Sequence, residues 1–288
     1  MNSVGTKVVP ESLQGVKGTP LQTAPSLPFD QPSAMEFARA RALFLDRFLA
    51  SWTGPALNTA FDAGTGVGFF AGHLAEHHRL RVTASDARAS NVEEARRRHP
   101  DIEVFVGDVE DPGLVTRGAF DIVTAFGLLY HLENPFRAVR NLAAMARHVL
   151  VIESLIAPGH KARAWFLDEF TGEDQAPNYV AWHLTETGIV KLLYRAGISN
   201  VYRARFRPPH IQFRGNLFRR QTRALLIGSR VPLASEQFER IVEPTYRLDR
   251  AYYLRLPGRL LLRPLLEWRN RKSLRVAAGG NAGLGRSS

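Results

Sequence analysis

A doubly wound α/β fold with a mostly parallel sheet is predicted by two features of this sequence. Short runs rich in Val, Ile, Thr and Phe alternate with amphipathic stretches over about 95 residues, the pattern of strands and helices in a layered α/β domain. A glycine-rich turn, Gly64-Thr65-Gly66-Val67-Gly68, stands at the first strand-to-helix junction. The composition fits such a domain, with 45% hydrophobic and 23% charged residues in a chain of 288.

The first 33 residues carry Pro10, Pro20, Pro25, Pro28 and Pro32 among Gly, Ser, Thr and Gln, and predict a mobile leader. Residues 34–52 place Phe37, Ala40, Leu43, Phe44, Phe48 and Leu49 at helical spacing, an amphipathic helix in front of the main domain. Strands are predicted at 59–62, 81–85, 102–106, 120–125 and 149–153, with helices at 67–77, 91–98 and 135–148 between them. Residues 154–182 show no clean period and read as a lid or acceptor-facing insertion. A helix over 185–196 follows, with Thr185 as its N-cap and Gly197 as its stop. Runs 202–206 and 222–228 are strand-like and suit an antiparallel closure of the sheet. The domain is expected to span 34–230, and 231–288 to form a basic helical extension with a disordered tail.

Charge and absences bound the function. The net charge is +11, and residues 201–288 hold 19 of the 38 Lys and Arg but only 5 of the 27 Asp and Glu. Such a third suits RNA, an anionic membrane surface or a phosphorylated substrate, or else a solvated Arg-rich face. In 259–272 Leu and Trp stand beside Arg, a pattern for helical packing or for lying on a membrane. No cysteine is present, which excludes disulfides, thiolate metal ligands and a thiolate nucleophile. Without a signal-peptide pattern or a run of about 20 apolar residues, a soluble, cytoplasmic protein is expected.

The glycine turn is informative through what it lacks. A third glycine of the dinucleotide pattern would fall on Phe69, too large for the helix–strand contact that glycine serves, and no Gly-Lys-Ser/Thr ending cradles a phosphate. Gly64, Gly66 and Gly68 instead suit a nucleoside carried without a pyrophosphate. Asp86, closing the second strand, stands where a carboxylate accepts ribose hydroxyls, and Asp108, after the third, where one accepts from an exocyclic amine while Val109 packs on the base.

With these residues the sequence resembles the class I S-adenosylmethionine-dependent methyltransferases over about residues 58 to 228. The resemblance lies in Asp62-Ala63-Gly64-Thr65-Gly66-Val67-Gly68, in Asp86, in Gly107-Asp108-Val109, and in the stretch from Phe120 through Phe126 to Leu132. It implies a seven-stranded, Rossmann-like sheet with an antiparallel last strand. It also implies that Asp62, Gly64, Thr65, Gly66 and Gly68 face the methionine and ribose, Asp86 the ribose, Asp108 and Val109 the adenine, with Phe126 beside the donor. S-adenosylmethionine is the implied co-substrate, and no metal is expected.

Methyl transfer from a sulfonium is an in-line displacement, so positioning and exclusion of water supply most of the catalysis. His131, just beyond the fourth strand, is a general base for a hydroxyl acceptor or an anchoring histidine, and Tyr130 is a donor contact or packing. Glu153 is a second base candidate, or else a helix cap or arginine partner. Ala125-Phe126-Gly127-Leu128 replaces the motif that resembles amino-methylating nucleic-acid enzymes, and no Asp-rich cluster suggests a magnesium site. Gly127-Leu128-Leu129-Tyr130-His131 with Asn134-Pro135 also resembles the tRNA wobble-uridine carboxymethyltransferase group. That group has a substantial N-terminal region where this chain has only the leader and one helix. A small-molecule acceptor is therefore the first expectation, an RNA-modifying enzyme the second, and a donor- or surface-binding protein without activity the third.

Overall fold

The protein's structure, a computed structural model, describes residues 28–168, 180–214 and 221–245. Helix α1 (Pro32–Ala50) precedes an alternating series: β1 (Thr59–Ala63), α2 (Phe69–His78), β2 (Arg81–Asp86), α3 (Ala89–Arg98), β3 (Glu103–Val106), β4 (Phe120–Phe126), α4 (Pro135–Met145) and β5 (Ala146–Leu155). Then come β6 (Ala164–Asp168), β7 (Val180–Leu184), α5 (Glu186–Arg195), β8 (Asn200–Ala204), the single turn α6 (Ile211–Arg214), β9 (Arg223–Ser229) and β10 (Phe238–Ile241).

The main sheet runs β10-β8-β9-β5-β4-β1-β2-β3. Pairings β1·β2, β2·β3, β1·β4 and β4·β5 are parallel, whereas β9 lies antiparallel to both β5 and β8. Strand alternation sorts side chains into two cores. Val149 and Val151 pack on one face with Phe44, Phe48, Phe70 and Leu74, while Leu150 and Ile152 pack on the other with Leu142 and Ile189. Both faces of the central strands are buried, which is why β4 and β5 read as continuous apolar runs.

Four details depart from the expectations. The sheet has eight strands among the described residues, because Phe238–Ile241, expected within a helical extension, pairs antiparallel with β8. Its Phe238 is buried while Glu239 and Arg240 stay exposed, an edge-strand pattern too short to be read alone. The predicted helix 135–148 stops at Met145, since pairing of Phe120 with Ala146 draws the chain into β5. The insertion 154–182 contains the antiparallel pair β6·β7, which leaves Trp165, Phe166 and Leu167 exposed. Residues 28–33, assigned to the leader, form a 3-10 turn and the start of α1, with Asp30 accepting two hydrogen bonds from Arg98 at 2.8 Å each.

Residues 1–27 of the leader and the segment 259–272 lie outside the described residues. None of the described helices is long and apolar enough to cross a membrane.

Candidate active site

The turn after β1 is shaped by backbone that only glycine adopts freely. Gly64, Gly66 and Gly68 have φ of +67°, +56° and +91°. At Gly66 a Cβ would also stand 3.0 Å from the Phe29 ring, so the turn and the residues before α1 fit together only without a side chain.

Three hydrogen bonds fasten this turn. Thr65 donates its N–H to the Ser85 carbonyl (2.9 Å) and its hydroxyl to Asp62 Oδ2 (2.7 Å), and Gly66 donates its N–H to Asp86 Oδ2 (2.8 Å). Asp86 Oδ1 accepts from Arg88 N–H (2.9 Å) and from the Asn91 amide (3.1 Å). Its carboxylate is thus oriented by three donors at the tip of β2. Asp108 Oδ1 accepts from Glu110 N–H (2.8 Å), which closes the turn after β3, and Asn141 holds the Val109 carbonyl at 2.9 Å.

A cavity of about 1630 Å³ opens above these strand ends. Gly64, Thr65, Gly66, Asp86, Asp108, Val109, Phe126, Tyr130 and His131 all line it. Its volume exceeds the roughly 300–1,000 Å³ of a pocket for one small ligand, leaving room for a donor and an acceptor together. Asp62 and Gly68 are not in the lining. Asp62 is buried beneath the turn, its second oxygen accepting from the Thr124 hydroxyl (2.7 Å), so it ties the turn to β4. Burial pushes its carboxyl up to about 6 despite these two donors. Gly68 instead opens α2 as its N-cap.

The far wall of the cavity is charged. Glu153 on β5, fully buried, receives Arg223 at 2.9 Å on one oxygen and Arg41 at 3.1 Å on the other. Of the two readings of Glu153, the structure gives the arginine partner. Arg223 also donates to the Tyr130 hydroxyl (3.2 Å). Burial opposes its charge, but Glu153 and Tyr130 raise its pKa. Arg41 goes the other way, lowered by burial and by Arg223, and its Nε has no hydrogen-bond partner. Two guanidiniums around one carboxylate leave this wall net positive.

Tyr130 stands between two imidazoles, with ring centroids 4.1 Å from His131 and 6.3 Å from His183. Burial and the nearby Arg223 lower the pKa of His183, so its imidazole is neutral at pH 7. Reasoning from sequence assigned no role to His183, Arg41, Arg223 or Phe29. Arg41 and Arg223 come from segments 112 and 70 residues away from their partner Glu153, a distance no local pattern spans.

Residues 61–148 match a family model described as a methyltransferase domain. The match gives the chain a methyltransferase domain, consistent with the class I S-adenosylmethionine-dependent methyltransferases. No curated protein sequence matches this methyltransferase. Among solved structures it is similar to the N-terminal domain of EvdMO1 crystallised with S-adenosylhomocysteine, at 17% identity and a TM-score of 0.52, over 67% of this chain and 80% of that one. It is also similar to magnesium protoporphyrin IX methyltransferase from Synechocystis PCC 6803 with bound S-adenosylmethionine, at 19% identity and a TM-score of 0.50, over 73% and 87% of the two chains. These likenesses show the shared fold. In this chain a glycine turn brings backbone to the cavity, and two carboxylates are oriented at the ends of β2 and β3.

Proposed function

We propose that the enzyme transfers the methyl group of S-adenosylmethionine to a hydroxyl or amine of a small-molecule acceptor. The observation that carries this reading is a single cavity shared by the glycine turn, Asp86 and Asp108 and by Tyr130, His131, His183, Arg41 and Arg223, the two arginines being held from behind by Glu153. When bound, the donor's sulfonium supplies an electrophilic methyl carbon.

The residues then divide the work. Gly64, Thr65 and Gly66 present the turn to the methionine and ribose, Asp86 accepts from the ribose hydroxyls, and Asp108 with Val109 holds the adenine. Phe126, packed edge-on against Phe70 with centroids 4.7 Å apart, supports the donor from β4. His131 takes the acceptor proton on a neutral imidazole nitrogen as the new bond forms, and Tyr130 fixes the approach. The positive wall suits carboxylate-bearing ligands, and the β6·β7 hairpin limits water entry. The lid and acceptor role of 154–182, and the domain limits 34–230, are part of this proposal.

Calorimetric titration with S-adenosylmethionine and, separately, with its carboxylated analogue tests the donor. Preference for the ordinary donor is expected; no affinity for either would overturn the reading. Tritium transfer to a panel of phenols, amines and sugars then tests the acceptor class. The basic third supports RNA as a second reading, which predicts RNA binding whose log affinity falls linearly with log salt. Binding that ignores salt counts against it.

A further inference from the structure

We propose that Asp46, His73 and His78 form a binding site for one divalent borderline cation of the zinc type, and that this ion staples α1 to α2. The sequence of α2 carries Gly72-His73-Leu74-Ala75-Glu76-His77-His78, in which His73 and His77 have the one-turn spacing that puts two imidazoles on one helix face. The fold then brings Asp46, from the middle of α1, against His73 and His78.

His73 Nε2 and His78 Nε2 approach the same oxygen, Asp46 Oδ1, at 2.6 and 2.7 Å. The three ligand atoms lie within 4.8 Å of one another. Bonds of about 2.0–2.2 Å from imidazole nitrogen and carboxylate oxygen to zinc would be reached by small side-chain movements. His77 has its ring centroid 4.6 Å from that of His73, and solvent can supply the fourth position of the site. A helix C-terminus favours imidazoles, but that preference alone gives no reason for two of them to converge on one carboxylate oxygen from another helix. The side chains of His73 and His78 are 13% and 20% exposed and that of Asp46 41%, so the group is held in place yet open to an entering ion.

Two nitrogens and one oxygen are a donor set for Zn(II), Co(II) or Ni(II), whereas magnesium and calcium take oxygen ligands. Asp46 and His73 stand at the edge of the cavity lined by Gly64, Asp86 and Asp108, and the role of the ion there is structural. α1 carries Phe37 and Arg41 to the cavity, and Arg41 reaches Glu153 on β5. Fixing α1 on α2 fixes that wall. Methyl transfer itself needs no electrons or Lewis acid from the ion.

The test uses the full chain without an affinity tag, stripped with chelator and titrated with zinc sulfate by calorimetry and with cobalt chloride by visible absorption. One equivalent of zinc, a raised thermal midpoint and the intense cobalt bands of a four-coordinate site are expected. Asp46→Asn, His73→Gln and His78→Gln should each weaken zinc by about 10-fold or more, while S-adenosylhomocysteine affinity, measured on the same samples, reports that each variant is folded. Non-stoichiometric zinc, a cobalt spectrum like that of the aqueous ion, or an affinity unchanged in all three variants would overturn the site. The wild-type cobalt spectrum decides the matter even if a variant fails to fold.

Discussion

Gly66, Asp86 and His131 line one cavity and Asp62 lies buried beneath its glycine turn, and each position predicts a different result. Gly66→Val adds a branched side chain at a φ of +56° against Phe29, and Asp86→Ala removes the carboxylate that holds the Gly66 N–H. Both should lower donor affinity by about 10-fold or more in calorimetry while circular dichroism stays native, since a charged, oriented hydrogen bond contributes roughly 1.5–3 kcal/mol. His131→Ala should lower turnover with donor affinity nearly unchanged, as expected of a base that meets only the acceptor; equal turnover would make it an anchor. Asp62 predicts a pH effect. Its carboxyl titrates near 6 in the folded protein against 3.8 unfolded, so the folded state binds the proton more tightly. Its contribution to stability is therefore fully present below pH 3.8 and lost as pH rises through about 6. The gap is worth about 3 kcal/mol. Thermal unfolding should show Asp62→Asn gaining on the wild type between pH 4 and pH 7, and parallel curves would contradict this assignment.

Elements are joined here by buried polar side chains that reach across sequence. Thr185, expected as the N-cap of the helix after the insertion, does more than cap α5. Its hydroxyl accepts from Gly188 N–H (3.0 Å) and Arg163 N–H (3.1 Å) and donates to the Lys161 carbonyl (2.9 Å). The capping signal was legible because Thr before Glu-Thr-Gly is a local pattern; the tie to residues 161–163 was not, because it depends on the chain returning to the same place. Thr185→Val keeps the volume and removes these bonds, leaving buried backbone groups unpaired. A loss of about 1–3 kcal/mol in urea unfolding is expected. The β6·β7 pair was hidden for a related reason: its exposed Trp165, Phe166 and Leu167 give no alternation. Glu153 shows the converse, since its position at a strand end marked it as chemically interesting, and only the arrival of Arg41 from α1 and Arg223 from β9 decided that it is a paired charge.

At the scale of the whole molecule, the cavity is the crevice outside the carboxyl ends of β1 to β4, completed by α1, α2, β5, β7 and β9, and it is where the donor is proposed to bind. Because walls from so many elements meet there, donor binding should stabilise the fold as a unit. S-adenosylhomocysteine at 100 times its dissociation constant is expected to add about 2.7 kcal/mol, read as one cooperative shift of the thermal midpoint. Absence of the shift in Gly66→Val would tie it to the glycine turn. Two separate transitions, only one of them responsive, would mean that α1 and the last strands are not part of the same cooperative unit.

The sequence by itself determined the alternation of strands and helices, the glycine turn at the first junction, and the two carboxylates at successive strand ends. These are local or periodic properties, set by backbone sterics and by the burial of alternate residues, and they are written within a few residues of where they act. Only the tertiary structure decided that Asp62 lies under the turn, that Glu153 is shared by two arginines, that Phe29 meets Gly66, and that Asp46 meets two histidines. Each of those facts is a contact between side chains that chain folding alone brings together, and a contact of that kind leaves no period or spacing in the sequence from which to read it.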